Sequence, residues 1–211
     1  MFLFICFYKC IFIKNIIMKE NSQIMTDAKD SLDGKWSLAV GTFFILILLS
    51  IGVSLIPWAG QIASILIAGP LVIGGAYFAL NITRDQEAKT DDIFFGFNNC
   101  FGNSVLAYLL VGFFVLVRLL LLIIPGIIAS LAYSQTWFIL AENPSMDSYD
   151  AIMSSKKMMD GYKFKLFKIQ LRLLGLGLLC LLTLGIGFLW LIPYQNVVCA
   201  KFYEEVKAAN A

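Results

Sequence analysis

The chain of 211 residues contains no histidine and few charged residues. Without histidine, it lacks the side chain that most often serves as general base, metal ligand or centre of a catalytic triad. The five cysteines are odd in number and lie mostly in or beside apolar segments, so neither a disulfide framework nor a thiolate metal site is expected. These absences argue against an enzyme and against a bound metal or cofactor. The charge distribution also gives no footprint for nucleic acid.

Most residues of the chain are apolar. Only 14% of the residues are charged and 60% are hydrophobic, whereas soluble domains average about 25% charged residues. Several apolar runs reach the roughly 20 residues that a helix needs to cross the hydrocarbon core of a bilayer. The sequence therefore predicts an all-α fold, a polytopic membrane helical bundle, with the lipid bilayer as its immediate partner.

Proline, glycine and polar segments divide the apolar sequence into about six predicted transmembrane helices, arranged as three helical hairpins. Their approximate limits are 37–56, 62–82, 104–124, 127–141, 169–184 and 186–202. The last two could instead be one helix over 173–194, but charge placement favours two. With six spans, every charged residue after Met18 except Arg118 falls on one side of the membrane. The positive-inside rule then places that side, and both termini, in the cytoplasm.

Residues 1–17 are apolar, but Lys9 and Lys14 interrupt them. The segment is too short to span a bilayer and has no cleavage site of the signal-peptide type. It predicts either a mis-called start, with translation beginning at Met18, or an interfacial extension. Residues 18–211 are predicted to form a single integral membrane domain.

Two polar stretches predict amphipathic helices on the cytoplasmic surface. Before span one, an apolar face with fourfold spacing ends at Trp36, and one side of this helix is expected to lie on the membrane surface. Before span five, Asn143 is a good helix cap, Pro144 suits the first turn and Gly161 is typical of a helix end. We therefore expect a helix from Pro144 to about Asp160. Its predicted apolar face consists of Met146, Tyr149, Ile152, Met153 and Met159.

An internal repeat supports the three hairpins. Asp33-Gly34-Lys35-Trp36 before span one is similar to Asp160-Gly161-Tyr162-Lys163 before span five, and Phe101-Gly102-Asn103 holds the equivalent place before span three. The second helix of each pair also carries a tyrosine. Glycine is frequent in membrane proteins, so chance similarity is the alternative interpretation.

Polar residues inside predicted spans are the default candidates for function, because they are costly unless paired or facing a cavity. Arg118 is the only charge expected within the hydrocarbon. It either extends toward the outer headgroups or pairs with a residue such as Tyr133 or Gln135. With Tyr194 and Gln195 of span six, these residues form a candidate polar intramembrane patch. The alternative is structural hydrogen bonding between helices, at about 0.6 kcal/mol per bond.

A basic and aromatic cluster lies between the predicted surface helix and span five. Its basic side chains are candidates for contact with anionic lipid headgroups, at about 1 kcal/mol per residue near the surface. They are Lys156, Lys157, Lys163, Lys165, Lys168 and Arg172. The alternative is a loop whose charges only set the topology.

Several motifs carry a resemblance to a known family. They are Ile124-Pro125-Gly126-Ile127-Ile128, Ile139-Leu140-Ala141-Glu142-Asn143-Pro144, Thr183-Leu184-Gly185-Ile186-Gly187, Pro193-Tyr194 and Phe202-Tyr203-Glu204-Glu205. Taken together, from about Met18 onward, the sequence resembles the bacterial integral-membrane family catalogued as domain of unknown function 975. It departs from the family pattern at Gln170, Arg172 and Leu176, which argues against a functional carboxylate there. The resemblance implies a multi-pass protein of the cytoplasmic membrane and no established activity.

These observations predict a non-enzymatic protein of the bacterial cell membrane that acts as a scaffold, an accessory or an envelope-protection component. Its expected partners are the bilayer, anionic lipid headgroups and a second membrane protein. The alternative is a small-molecule or ion transporter that uses the polar patch between spans four and six. A discontinuous helix at Gly69-Pro70, or a cavity joining the patch residues, would favour the transporter.

Overall fold

The computed structural model describes residues 19–55 and 59–210, and every regular element in these ranges is helical. The elements are α1 (Asn21–Ser31), α2 (Trp36–Ser54), α3 (Ala59–Thr83), a 3₁₀ helix (Thr90–Phe94), α4 (Phe95–Asn99), α5 (Phe101–Leu121), α6 (Ile123–Tyr133), α7 (Thr136–Glu142), α8 (Ser148–Met158), α9 (Lys163–Leu182) and α10 (Phe188–Asn210). The predicted all-α helical bundle is confirmed. The expectation for residues 1–17 falls outside the described residues, and the single-domain assignment stays a prediction.

Among the residues that the structure describes, four segments are long and apolar enough to cross a membrane. They are Trp36–Val53, Ala63–Thr83, Phe101–Leu121 and Ile123–Glu142. The helices α9 and α10 are also long, but basic residues occupy the first half of α9 and charged residues the second half of α10. The count of six spans therefore stays a prediction.

The helices α9 and α10 are separated by a tight turn. Leu184 and Gly185 have left-handed backbones, with φ of 52° and 87°. The Gly187 backbone N–H donates a hydrogen bond to Thr183 Oγ1 at 3.0 Å. The expected pair of helices is present, and a single helix over 173–194 is not formed.

The break between the third and fourth predicted spans lies at Leu122, so its expected position at Pro125-Gly126 was wrong. Leu122 is extended, with φ −163° and ψ 145°. Pro125 lies in the first turn of α6, where its missing N–H removes no intrahelical hydrogen bond. A Cβ on Gly126 would lie 2.9 Å from the Leu119 Cα, so this glycine lets α6 turn back closely against α5.

Among the helices that carry the four apolar segments, α3 is the most enclosed. It contacts α2, α5, α7 and α10; 56% of its apolar span is buried within the protein, against 11% of the α5 span. A Cβ on Gly69 would lie 2.4 Å from the Ser104 carbonyl oxygen, and one on Gly74 would lie 2.0 Å from that of Ile93. The absence of a Cβ at these glycines lets the backbones of neighbouring segments approach α3 closely, and we call such positions packing notches. The helix continues through Pro70 without a break, so the discontinuous helix considered for a transporter is not formed.

The packed core lies toward one end of the bundle. We call this the charged end; it is formed by α1, the 3₁₀ helix and the C-terminal ends of α3, α7 and α10. Phe78, Leu140 and Tyr203 are buried there. The opposite ends of the helices are exposed and apolar, with Leu120 at 78% and Leu184 at 95% exposure. Lipid is the solvent that suits such surfaces.

Two copies of the predicted repeat have the same backbone conformation. The helices α1 and α8 each have 11 residues, and each is followed by a four-residue turn that leads into a long helix. The third residue of each turn is left-handed, with φ of 71° at Gly34 and 88° at Gly161. The first, Leu32 or Met159, is buried. Gly102 lies inside α5, so the third copy lacks this turn.

The apolar face of α1 is buried in the protein, which corrects its expected position on the membrane surface. Ile24, Ala28 and Leu32 are almost fully buried. The helix packs against α10, and the Tyr194 hydroxyl donates a hydrogen bond to the Met25 carbonyl oxygen at 3.0 Å. The covering surface is therefore another helix of the bundle.

The surface helix α8 begins four residues later than predicted. Its N-cap is Asp147, whose carboxylate accepts a hydrogen bond from the Tyr149 N–H at 3.0 Å. The residue before a proline avoids the helical region, and Asn143 accordingly has φ −126° and ψ 77°. Pro144 lies in the connection, so both predicted start residues were wrong.

The buried face of α8 also differs from the prediction. Ile152 and Met159 are buried as expected, but Tyr149 is 51% exposed, and Met146 and Met153 are only partly buried. Small polar residues fill the remaining contacts. Ser148 Oγ donates to the Asn103 carbonyl and Ser155 Oγ to the Ala132 carbonyl, each at 2.8 Å. These bonds hold α8 against α5 and α6.

Candidate functional site

The ends of three helices meet at the charged end of the bundle. Arg84 directly follows α3, Glu142 ends α7, and Glu204 and Lys207 lie near the end of α10. Arg84 pairs with Glu142 and with Glu204, whose Oε1 is 2.7 Å from the Arg84 Nε. The Lys207 Nζ lies 2.7 Å from each carboxylate oxygen of Glu142. We call these four residues, with Tyr203, the charged network.

Glu142 is the centre of the charged network. Its side chain is only 12% exposed, and it accepts hydrogen bonds from Arg84, Lys207 and the Tyr203 hydroxyl, the last at 2.7 Å. The Tyr203 ring stacks on Phe138, with centroids 5.5 Å apart. Burial, together with the hydrogen bond to Glu142, raises the pKa of Tyr203. The phenol therefore stays a neutral donor at physiological pH.

Two cations at the charged end, Arg84 and Lys201, lie where helix dipoles favour them. Backbone carbonyls at a helix C-terminus carry partial negative charge, which a nearby cation stabilises. Arg84 follows the last residue of α3, and the Lys201 Nζ reaches the Thr83 carbonyl oxygen at 3.0 Å. Burial alone would lower the pKa of Arg84, but its hydrogen bonds to Glu142 and Glu204 raise it. The packing of α10 beside α3 thus brings Lys201 to the C-terminal carbonyls of α3 and Glu204 to Arg84.

A cavity of about 570 Å³ opens beside the charged network. Arg84, Glu142 and Lys207 line one part of it, and Tyr77 and Asn81 of α3 line another. The Tyr77 ring stacks on the Phe95 ring, with centroids 3.9 Å apart, and the Asn81 side-chain amide donates a hydrogen bond to the Asp92 carboxylate at 2.9 Å. These contacts hold both lining side chains in place. Sites for small molecules have volumes of about 300–1,000 Å³. The cavity and the charged network together form the candidate functional site.

This site was not predicted from the sequence, and none of the five residues of the charged network was among the predicted site residues. Glu205 lies 3.3 Å from the Lys19 Nζ, and Glu204 binds Arg84. One available signal was Glu142, a carboxylate at the very end of an apolar run, because such a group needs a partner.

Two members of the predicted polar patch are in contact. The Arg118 Nη1 donates a hydrogen bond to the Tyr133 Oη at 2.5 Å, and the guanidinium carbon lies 5.5 Å from the ring centroid. Tyr133 is 2% exposed and packs beside Phe114. Arg118 therefore pairs with Tyr133, one of the partners predicted for it from the sequence.

The other three members of the patch do not join this pair in one cluster. Gln135 is buried at the irregular step between α6 and α7, and its Nε2 donates to Ser134 Oγ at 3.0 Å. Tyr194 binds α1, as described above, and Gln195 is half-buried on α10. The groove beside Tyr194 is lined by residues of α2, α9 and α10 and their connecting turn, and neither Tyr133 nor Gln135 borders it. The structure does not bring the five predicted residues into one site.

The six predicted lipid-binding residues divide into two groups. Lys163 faces Asp160 at 3.6 Å, and Lys165 donates to the Lys19 carbonyl oxygen at 2.5 Å, so protein groups already bind both. The other four side chains are exposed: Lys156, Lys157, Lys168 and Arg172. The Lys168 Nζ lies 4.8 Å from the centre of the exposed Phe164 ring.

Helical hairpins with four apolar segments of membrane-spanning length are compatible with the class of integral-membrane helical bundles. Residues 113–210 match the family described as "Protein of unknown function (DUF975)". The match confirms the resemblance over the region that carries all of its quoted motifs. It also contains Glu142 and the α10 members of the charged network, whereas Arg84 lies outside it. No curated protein and no solved structure matches the chain.

Proposed function

We propose that the protein is a multi-pass protein of the bacterial cytoplasmic membrane that acts without catalysis, as a scaffold or accessory component. The charged end is its working surface. The observation that carries this proposal is the charged network, in which Glu142 joins Arg84 and Lys207 from two other helical hairpins. Ion pairs join three helix ends at this surface, which makes it rigid enough to present the adjoining cavity to a partner.

The proposed orientation places the charged end in the cytoplasm. Arg118 is the one charged residue after Met18 that lies toward the other side in the six-span topology, and lysine and arginine near span ends are retained inside. A cytoplasmic partner would then meet the cavity beside Arg84 and Lys207. An envelope-protection role is compatible with the same surface.

A transporter is the second candidate, and one observation favours it. Gln135 Oε1 and Thr136 Oγ1 are buried and have no hydrogen-bond partner among the described residues. They lie where α6 and α7 are interrupted, inside the apolar segment Ile123–Glu142. Interrupted helices with free polar groups bind substrates or ions in several transporter folds.

Complementation of a deletion strain separates the two candidates. Ser154→Trp and Gln86→Trp place a large side chain at exposed positions on the cavity wall, and Gln135→Leu removes the buried amide. The phenotypes compared are solute uptake and sensitivity to membrane-active peptides. A scaffold predicts that the two tryptophan variants fail to complement and that Gln135→Leu complements. The reverse pattern would contradict the scaffold and favour transport.

A matched control keeps this test specific. Lys156→Trp introduces the same side chain on α8 at an exposed position outside the cavity lining, and it should complement like the wild type. Immunoblots of the membrane fraction must show equal amounts of every variant. Loss of complementation by Lys156→Trp as well would mean that the cavity is not the determinant, and would overturn the proposal.

A further inference from the structure

An apolar groove of about 330 Å³ lies on the outer surface of α9 and α10. Leu176 and Leu179 of α9, Trp190 and Leu191 of α10, and Trp36 at the start of α2 are among the residues that line it. Leu179 is 60% exposed and Trp190 is 50% exposed, so the groove opens sideways, away from the bundle. In a membrane-embedded protein such an opening faces lipid.

A basic stripe continues the groove toward the charged end. Side chains four residues apart share one face of a helix, so Lys168 and Arg172 lie in line with Leu176 of the groove. Both cations are exposed. Among residues 19–55 and 59–210, neither forms an ion pair with an acidic side chain. Their charge is therefore available to an external anion.

The length of the groove suits one leaflet of a bilayer. Thr183, which lines its far end, is 11 positions after Arg172, and a rise of 1.5 Å per residue gives about 16 Å. The hydrocarbon core of a bilayer is about 30 Å thick, so an acyl chain of one leaflet fills roughly half of that. The α9 helix can still cross the whole core, because Arg172 and Lys168 extend their charged ends from within the span toward the headgroups and because bilayers become thinner around short spans. Cations at one end of an apolar channel of this length match the layout of a phospholipid, with its anionic headgroup above its acyl chain.

We propose that this groove holds one acyl chain of an anionic phospholipid, whose headgroup phosphate is bound by Arg172 and Lys168. Trp36 and Trp190 flank the chain, and the exposed Phe164 ring beneath Lys168 positions the ammonium group. The inference rests on the membrane location given under the proposed function, but it is independent of whether the charged end recruits a partner.

Native mass spectrometry of the purified full chain, titrated with phosphatidylglycerol, tests the headgroup contacts. Each basic residue near a membrane surface contributes about 1 kcal/mol, so K168Q together with R172Q should weaken binding roughly 25-fold. K156Q together with K157Q removes two charges on α8 that are also exposed, and it should leave the affinity unchanged. Equal weakening by both double variants would overturn the site, because it would reveal only general attraction by charge.

Filling the groove tests the acyl chain. L179W adds bulk at an exposed groove position, whereas L178W adds the same bulk at a position that is 60% exposed and lies outside the lining. We expect L179W to weaken phosphatidylglycerol binding at least tenfold and L178W to leave it unchanged. Equal affinity of the L179W and wild-type proteins would overturn the proposal. Thermal melting in lipid-free detergent checks that both variants fold.

Three further measurements identify the occupant. Glycerol phosphate, which shares the anionic group but lacks acyl chains, should not compete at equal concentration; competition would show a free-phosphate site and overturn the role of the groove. Phosphatidylcholine should bind at least tenfold more weakly, and equal binding would overturn the role of the cations. Light scattering should show the same oligomeric state for L179W and wild type. A dimer lost in L179W would assign the groove to a second copy of the chain instead.

Discussion

Glu142 and Lys207 are joined through both carboxylate oxygens, each 2.7 Å from the lysine Nζ, although the two residues are 65 positions apart. Arg84 binds the same carboxylate from a third segment of the chain, 58 positions before it. Each predicted hairpin therefore contributes one of these three charged groups from the end of its returning helix. The packing of α3, α7 and α10 is thus fixed at the charged end by polar contacts, where the apolar spans end.

Replacing Glu142 by glutamine should destabilise the protein. The change leaves Arg84 and Lys207 without their shared counter-charge, and loss of a hydrogen-bonded charged partner costs about 1–3 kcal/mol. Thermal unfolding in detergent, followed by circular dichroism, measures the effect. Glu87→Gln is the control, because Glu87 is 83% exposed and its contact with Lys89 is 3.4 Å long; it should leave the melting temperature unchanged. Equal melting temperatures for Glu142→Gln and wild type would show that the charged network adds no stability.

Replacing Gly74 by alanine should destabilise the centre of the bundle. The added Cβ would lie 2.0 Å from the Ile93 carbonyl oxygen, and this neighbour is backbone that can relieve the clash only by moving the 3₁₀ helix. Overpacking of this kind costs about 1–3 kcal/mol. Gly112→Ala is the control, since no atom lies within 4 Å of its Cβ position in α5. There the helix propensity of alanine should leave stability equal or higher; similar losses in both variants would refute the packing-notch interpretation.

Local and long-range features differed in how far the sequence could predict them. The left-handed turn at Gly161 was predictable, because a single glycine between two helical patterns determines it. The charged network was not, because Arg84 and Glu204 are 120 positions apart and meet only through packing of α10 on α3. Two residues near the start of α8, Asn143 and Asp147, are of types that cap helices well. Asp147 is the cap in the structure, and the adjacent Ser148 is held by its hydrogen bond to the Asn103 carbonyl.

Replacing Gly161 by alanine should cost stability through the backbone alone. Its φ of 88° is unfavourable for residues with a Cβ, by about 1–2 kcal/mol, yet a Cβ there would meet no atom within 4 Å. Asparagine tolerates this region better than alanine, so Gly161→Asn should restore part of the loss. Melting temperatures of the three proteins provide the comparison. If alanine and asparagine have the same effect, backbone strain at the turn is not the cause.

The hydrogen bond between Arg118 and Tyr133 should couple α5 to α6. Bonds between membrane helices contribute about 0.6 kcal/mol on average and up to about 1.7 kcal/mol. A double-mutant cycle with Arg118→Met and Tyr133→Phe measures the coupling from the unfolding free energies of the four proteins. We expect a favourable coupling within that range. Additive effects would mean that Arg118 gains nothing from Tyr133 and serves only to reach the lipid headgroups.

The turn between α9 and α10 should be accessible from outside the cell, because we predict that both helices cross the membrane. Leu184 is 95% exposed in this turn and Leu122 is 68% exposed between α5 and α6, so each tolerates a single cysteine in a variant lacking the five natural ones. A membrane-impermeant maleimide should label Leu184→Cys in intact cells as fast as Leu122→Cys. A control cysteine at Glu87, on the charged end, should react only after permeabilisation. If Leu184→Cys is protected while Leu122→Cys reacts, α9 and α10 form a hairpin that enters the membrane without crossing it, and the protein has the four spans that length and apolarity alone define.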